Sequence, residues 1–245
     1  MKRIMFLLFS AALLTGTAAT FADNHGPTGP QVGIVYSLDV SDPGAFAASM
    51  QKYWNSETGK KNPGYAVLRQ VVAGGENPAT HTVAVVFGSY AEMDSATALN
   101  ATSPDAAVFA TEVSKSASIV SSTMFESTGV VIGEDEPPQG PGTVTMYYQM
   151  AVSNPAAYVA ALQEMGNSID PNGTVSALYS IPADGDSGIT HVTTISGKSM
   201  DELMTGLRGI QATNEFQSFS SFVSVEGVRT IVGTIVTTDL AIFGL

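Results

Sequence analysis

Residues 32–51 read VGIVYSLDVSDPGAFAASMQ, and residues 144–163 read VTMYYQMAVSNPAAYVAALQ. Laid over one another at a spacing of 112, they agree at eight of twenty positions: Val32/Val144, Tyr36/Tyr148, Val40/Val152, Ser41/Ser153, Pro43/Pro155, Ala45/Ala157, Ala48/Ala160 and Gln51/Gln163. Average composition would give about one or two. The substitutions between these positions keep character, as in Ile34/Met146, Leu38/Met150, Asp42/Asn154 and Phe46/Tyr158. The match resumes at a spacing of 110 with Leu68/Leu178, Thr80-His81/Thr190-His191, Ser89/Ser199, Glu92/Glu202 and Phe109/Phe219, so one loop differs by two residues. A repeat of this length makes the fold one unit written twice.

Each unit can be read element by element. Val32, Ile34, Tyr36, Leu38 and Val40 alternate with less apolar neighbours, as do Val144, Met146, Tyr148, Met150 and Val152, which is the period of a strand. Asp42 and Asn154 then offer a side-chain oxygen to a helix N-terminus, and Pro43 and Pro155 take the first helical position, where a missing N–H costs nothing. In the helices that follow, Phe46, Met50 and Tyr53 in one copy, and Tyr158, Leu162 and Met165 in the other, recur at helical spacing. Strands are expected over 65–73 and 80–87, and again over 175–181 and 189–195, with Gly-rich turns between the members of each pair. Ser89-x-x-Glu92 and Ser199-x-x-Glu202 are capping boxes that open a second helix. Ser103-Pro104-Asp105 and Thr213-Asn214-Glu215 break that helix and start a short further one, and a last strand is expected over 119–125 and 230–236. The order is β-α-β-β-α-β, the ferredoxin-like pattern of an α+β fold. The repeats span 31–132 and 143–240, joined by an acidic, proline-rich linker at 133–142.

Before the first repeat, Lys2 and Arg3 precede an apolar run over residues 4–14 and small residues up to Ala22. Residues 1–22 read as a secretory signal peptide, and 23–30 as a flexible segment. The apolar run is shorter than the ~20 residues of a membrane span, so no stable membrane insertion is expected after cleavage. The expected location is periplasmic or secreted. The chain has no Cys, which removes disulfides, thiolate chemistry and lipidation at an amino-terminal cysteine. Its net charge is −12, and loss of residues 1–22 would remove Lys2 and Arg3 but no acid, leaving −14. Only Lys60 and Lys61 are adjacent basic residues after residue 22, so there is no basic stripe for nucleic acid.

The element order, the capped helix after the first strand, and the broken second helix with Phe109 and Phe219 in its last part resemble the dimeric α+β barrel superfamily over about residues 31–240. The resemblance implies two tandem ferredoxin-like repeats packed sheet to sheet as an intrachain α+β barrel, with helices outside. That superfamily includes cofactor-independent monooxygenases of antibiotic biosynthesis, haem-handling relatives and ligand-binding members, so the fold leaves function open.

The residues themselves offer few catalytic sets. There is no Gly-rich phosphate loop, Gly-x-Ser-x-Gly elbow, His-Glu-x-x-His helix or EF-hand loop. His81 and His191 are the catalytic candidates, as a repeated pair able to act as base or ligand. Against this, a strand-start histidine after Thr can simply hydrogen-bond a turn, and no acid is repeated beside the pair. A metal site would need more convergent ligands than these. Tyr36 and Tyr148 lie on the apolar face of the first strand, as core or as barrel lining. If that face packs on helices, the opposite face, with Val35, Ser37 and Asp39 in one copy and Tyr147, Gln149 and Ala151 in the other, looks into the barrel. Trp54 and Arg69 belong to the first copy alone, Tyr179 standing where Arg69 would recur. The ligand-binding candidates are therefore Tyr36, Asp39, Trp54, Arg69, Tyr147, Tyr148 and Gln149.

Three functions stay open. The first is an exported protein holding a small apolar ligand between its sheets, no cofactor being specified by the sequence. The second is a cofactor-independent monooxygenase or haem-handling enzyme, and the third a non-enzymatic protein that binds a partner or associates with itself. The discriminating feature is the space between the sheets. A lumen closed by side chains argues against the first two.

Overall fold

The computed structural model describes residues 31–133, 137–185, 187–225 and 227–245. The expected signal peptide, the segment after it with His25, and residues 134–136 of the linker lie outside the described residues. The first half contains β1 (Val32–Val40), α1 (Pro43–Trp54), β2 (Tyr65–Ala73), β3 (His81–Phe87), α2 (Tyr90–Ala101), α3 (Pro104–Ser116) and β4 (Ala117–Ile132). The second repeats the order as β5 (Val144–Val152), α4 (Pro155–Gly166), β6 (Val175–Ala183), β7 (His191–Gly197), α5 (Met200–Gln211), α6 (Asn214–Val225) and β8 (Arg229–Phe243). No helix among the described residues is long and apolar enough to cross a membrane.

The caps form as the side chains dictate. Asp42 accepts from the Ala45 N–H at 3.0 Å, and Asn154 from the Ala157 N–H at 3.2 Å. Ser89 and Ser199 each accept from the glutamate N–H three residues on. In the first copy Glu92 also reaches back past the cap, accepting from the Gly88 N–H at 2.8 Å.

The eight strands form one closed antiparallel barrel in the order β1-β3-β2-β8-β5-β7-β6-β4. Within each half the order is that of a ferredoxin-like sheet, β4-β1-β3-β2 and β8-β5-β7-β6. Closure comes from the last strands. β4 and β8 run to 16 and 15 residues, well beyond the expected 119–125 and 230–236, and β8 continues past residue 240. The added length has a physical purpose. β4 pairs with β1 through Glu126 and, from Met124 onward, with β6 on its other side, while β8 pairs with β5 through Thr238 and, from Val236 onward, with β2. Each long strand thus satisfies the edge that the opposite half would otherwise leave bare. The third helix of each half, 13 and 12 residues, is longer than the expected short helix, and its Phe109 or Phe219 meets Tyr53 or Tyr158 at ring distances of 5.0 and 5.9 Å.

Two layers of core follow from the alternation along the strands. Leu38, Val40, Leu68 and Val83 pack outward against Phe46, Met50, Tyr53 and Trp54 of α1. Met150, Val152 and Leu178 pack outward against Tyr158, Leu162, Met165, Phe219 and Val223 of α4 and α6. The inward face carries Tyr65, Val67, Ala84, Val86 and Phe125, with Val35, Tyr179, Ile181 and Ile242 against them.

Candidate functional site

Neighbouring strands in the barrel are antiparallel throughout, so β1, β2, β5 and β6 run the same way and finish at the same end. Inward-facing residues are buried near the other end, at Tyr65, Val67, Thr145, Val175 and Ala177. Toward the finishing end they become half-buried, at Ser37, Arg69, Val71, Tyr147, Gln149, Tyr179 and Ile181, and the rim residues Asp39, Ala73 and Ala183 are exposed. Along β8 the same passage runs from buried Thr237 through half-buried Ile235 to half-buried Gly233, which pairs with Gln149. The lumen is packed at one end, and at the other, its mouth, the inward side chains are partly accessible to solvent.

Arg69 sits at the floor of this mouth. Its register on β2 places it beside Asp239 of β8 across the seam between halves, and its Nε donates to Asp239 Oδ1 at 2.8 Å. Side-chain exposure is 14% for Arg69 and 2% for Asp239, so this is a buried pair. The linker completes it: the Gly140 N–H donates to Asp239 Oδ2 at 3.2 Å, and backbone bonds from Gly142 to Asp239 and from Asp239 to Thr143 hold the segment there. Burial opposes the charge of Arg69, but Tyr147, Asp239 and Tyr179 around it outweigh burial and hold its pKa above the ordinary arginine value. Burial pushes the Tyr179 phenol up to about 12, with Tyr147 and Tyr65 adding to the rise and Arg69 opposing it. Thr237 Oγ1, on the same face of β8, is buried without a hydrogen-bond partner among the described residues.

The two seams are chemically unlike. Val32 pairs with Glu126 and its equivalent Val144 with Thr238, so Phe125 and Ser127 are the counterparts of Thr237 and Asp239. At the β4–β6 seam, Phe125 meets Tyr179 edge to face at 5.5 Å. At the β8–β2 seam the same positions hold Thr237, Asp239 and Arg69.

The expected site residues therefore divide. Arg69 and Tyr147 come together in the lumen, with Gln149 further toward the rim, where Gly233 leaves room for it: a Cβ there would stand 2.9 Å from Gln149 Oε1. Asp39 shares the inward face of β1 but stands at the exposed rim. Tyr36 and Tyr148 point to the helix layers, and burial raises both phenols. Trp54 closes the end of α1 against Tyr53 and Gly244.

His81 and His191 pair with Leu38 and Met150, which places them on the helix side of the sheet and away from the lumen. Each Nδ1 lies 2.9 or 3.0 Å from the preceding threonine hydroxyl, which also accepts from the Val40 or Val152 N–H and so ties the turn to the end of β1 or β5. Burial lowers both imidazoles. A haem ligand needs a free imidazole nitrogen beside a porphyrin-sized space. These two are 6% and 9% exposed and engaged in the sheet–helix layer, so neither fits haem. Among the described residues no three His, Asp or Glu are grouped to hold a metal ion.

Asp239, Tyr179 and Thr237 were not among the expected site residues. The local signal was slight: Asp239 is a lone acid in the apolar stretch TTDLAIF, beyond the expected end of its strand. Outside the barrel, a concavity of about 160 Å³ lies between α1 and α3, lined by residues such as Ser49, Lys52, Asp105 and Glu112, and one of about 300 Å³ lies along α3, lined by residues such as Val108, Thr111 and Lys115. They face solvent and lack the buried, convergent donors of the lumen, which is the better candidate.

No protein-family model matches the chain, and no curated protein does. Solved structures share its fold. A protein named as a candidate monooxygenase, from Fusobacterium nucleatum subsp. nucleatum, superposes with a TM-score of 0.59 at 11% identity, over 87% of this chain and 94% of its own. An anthrone oxidase-like protein gives 0.54 at 12% identity, over 87% and 92%. A double mutant of the chlorite dismutase from Candidatus Nitrospira defluvii gives 0.52 at 12%, over 86% and 92%. At these identities the likeness is one of fold, and the chain has the dimeric α+β barrel fold within a single polypeptide.

Proposed function

We propose that this is an exported small-molecule-binding protein whose ligand enters the open end of the barrel lumen. The observation that carries the reading is a half-buried mouth with apolar walls at Val71, Ile181, Val192 and Ile235 and a floor at Arg69, Tyr147 and Tyr179. A few fixed polar groups at the base of an apolar recess are what a small-molecule site requires. A thermal-shift and native mass-spectrometry screen against apolar metabolites, with and without polar groups, tests it. At least one compound should stabilise the protein, and Ile235→Trp or Ile181→Trp, which narrow the mouth, should abolish that stabilisation. A ligand unaffected by both substitutions would overturn the assignment to the lumen. Export rests on Lys2, Arg3 and the apolar run after them. Mass spectrometry of protein recovered from the expressing cell's periplasm or medium should find a chain starting at about residue 23.

The enzyme reading, a cofactor-independent monooxygenase like those its fold neighbours are named for, would use the same mouth. Its chemistry is less well served there. Proton abstraction needs a base near the working pH, whereas Tyr179 remains a protonated donor and Asp239 is held by Arg69 and Gly140. Oxygen consumption in the presence of a compound found by the screen would favour the enzyme over the binding protein.

A further inference from the structure

We infer that the lumen is built for a carboxylate: the ligand is a small molecule with an apolar or aromatic body and a carboxylate head seated on Arg69, Tyr147 and Tyr179. This rests on the lumen being the binding site and adds the chemical class of what it takes.

The argument is a balance of donors and acceptors. Arg69 has five N–H donors. Its Nε–H is used by Asp239, and among the described residues no other side chain or carbonyl accepts from its guanidinium. The edge formed by its two terminal nitrogens is left over, and this is the edge that matches the two oxygens of a carboxylate. The Tyr147 and Tyr179 hydroxyls lie in the electrostatic field of the same guanidinium, and neither hydrogen-bonds another described residue. Thr237 Oγ1 lies in the same seam, 1% exposed as a residue, with no hydrogen-bond partner among the described residues. At the floor the acceptors are already committed, Gln149 and Asp39 standing further toward the rim. Asp239 Oδ1 takes Arg69 and Oδ2 takes the Gly140 N–H, while the Thr145 and Ser196 hydroxyls bond one another at 2.9 Å. A pocket with surplus donors in a place of low dielectric selects a ligand rich in acceptors, and most strongly one with negative charge.

The pairing with Asp239 does not cancel this selectivity. It fixes the guanidinium through Nε, so little further rotamer entropy is lost when the opposite edge binds. The walls supply the other half of the specificity. Val71, Ile181, Val192 and Ile235 line the path from this floor to the rim, where an apolar body would lie. The β4–β6 seam, with Phe125 against Tyr179 in place of the ion pair, offers no second head-group position. One ligand per chain is therefore expected.

Calorimetry on the full mature protein tests this, using benzoate, cinnamate and decanoate, each beside its primary amide. The acids should bind at one site per chain and about tenfold or more tighter than the amides. Arg69→Gln should remove the preference for the acid. Because loss of Arg69 strands Asp239 and threatens folding, the double variant Tyr147→Phe, Tyr179→Phe is the companion test. It keeps the ion pair and should weaken the acids about tenfold while leaving the amides nearly unchanged. Acid and amide binding alike, or acid binding indifferent to both sets of substitutions, overturns the carboxylate inference and leaves the lumen reading standing. Failure of all three acids to bind overturns it as well. The lumen reading then falls too only if the broader screen also finds no ligand sensitive to Ile235→Trp or Ile181→Trp.

Discussion

Arg69 and Asp239 stand at the residue scale as a buried pair whose partners depend on one another. Removing either alone leaves a charge in a place that water scarcely reaches, so Arg69→Leu or Asp239→Leu should each cost about 3–5 kcal/mol in urea unfolding, whereas the double replacement by Leu should recover most of that loss. Tyr147→Phe should cost far less, because no described group depends on its hydroxyl. The histidines make a second prediction of the same scale. Burial pulls His81 and His191 below their ordinary value of 6.5, so as pH falls past that value the unfolded chain binds more protons than the folded one. Stability is therefore full above about 6.5 and declines below it. Urea midpoints measured between pH 7.5 and 5.5 should fall, and should fall less steeply in a His81→Gln, His191→Gln variant.

At the scale of elements, the repeated sequence signals do their work locally, through caps and turns. Asp42→Ala and Asn154→Ala should each lower stability by about 1 kcal/mol, read from denaturant midpoints, because each leaves an amide at a helix start without its acceptor. The two costs should add, since the caps lie in different halves. The long strands β4 and β8 behave differently from the other elements. Their first parts pair on one side only, and each carries a bulge there, at Ile119-Val120 and Ile231-Val232. Bulges twist an edge and so blunt its pairing with another chain. Those dipeptides are exposed in both halves, which follows from their place at a bulged rim.

For the molecule as a whole, two half-barrels close each other through the β4–β6 and β8–β2 seams. A fragment covering residues 31–133 would carry the complete β1–β4 sheet but leave the edge of β2, the second half of β4 and the inward apolar face of Val67, Ala84, Val86 and Phe125 uncovered. It should dimerise or aggregate rather than stay monomeric, and light scattering on the purified fragment reads this directly. The strands, caps and first helices were legible from sequence because each depends on neighbours within a few positions: alternation for β1 and β5, Asp42-Pro43 and Asn154-Pro155 for α1 and α4. The repeat then determined that the fold is one α+β unit twice over, and alternation sorted the first strands into two faces, one of them holding Tyr147 and Gln149, without deciding which lines the lumen. What the sequence did not contain locally is the seam. Nothing near Asp239 signals that it will meet Arg69, 170 positions away, because that meeting depends on how far β8 extends past its own half and on the register it takes against β2. Local patterning specifies which face of a strand is apolar, since burial acts on each residue separately. Only closure of the barrel decides which two faces confront one another, and so places an arginine among phenols at the floor of an open mouth.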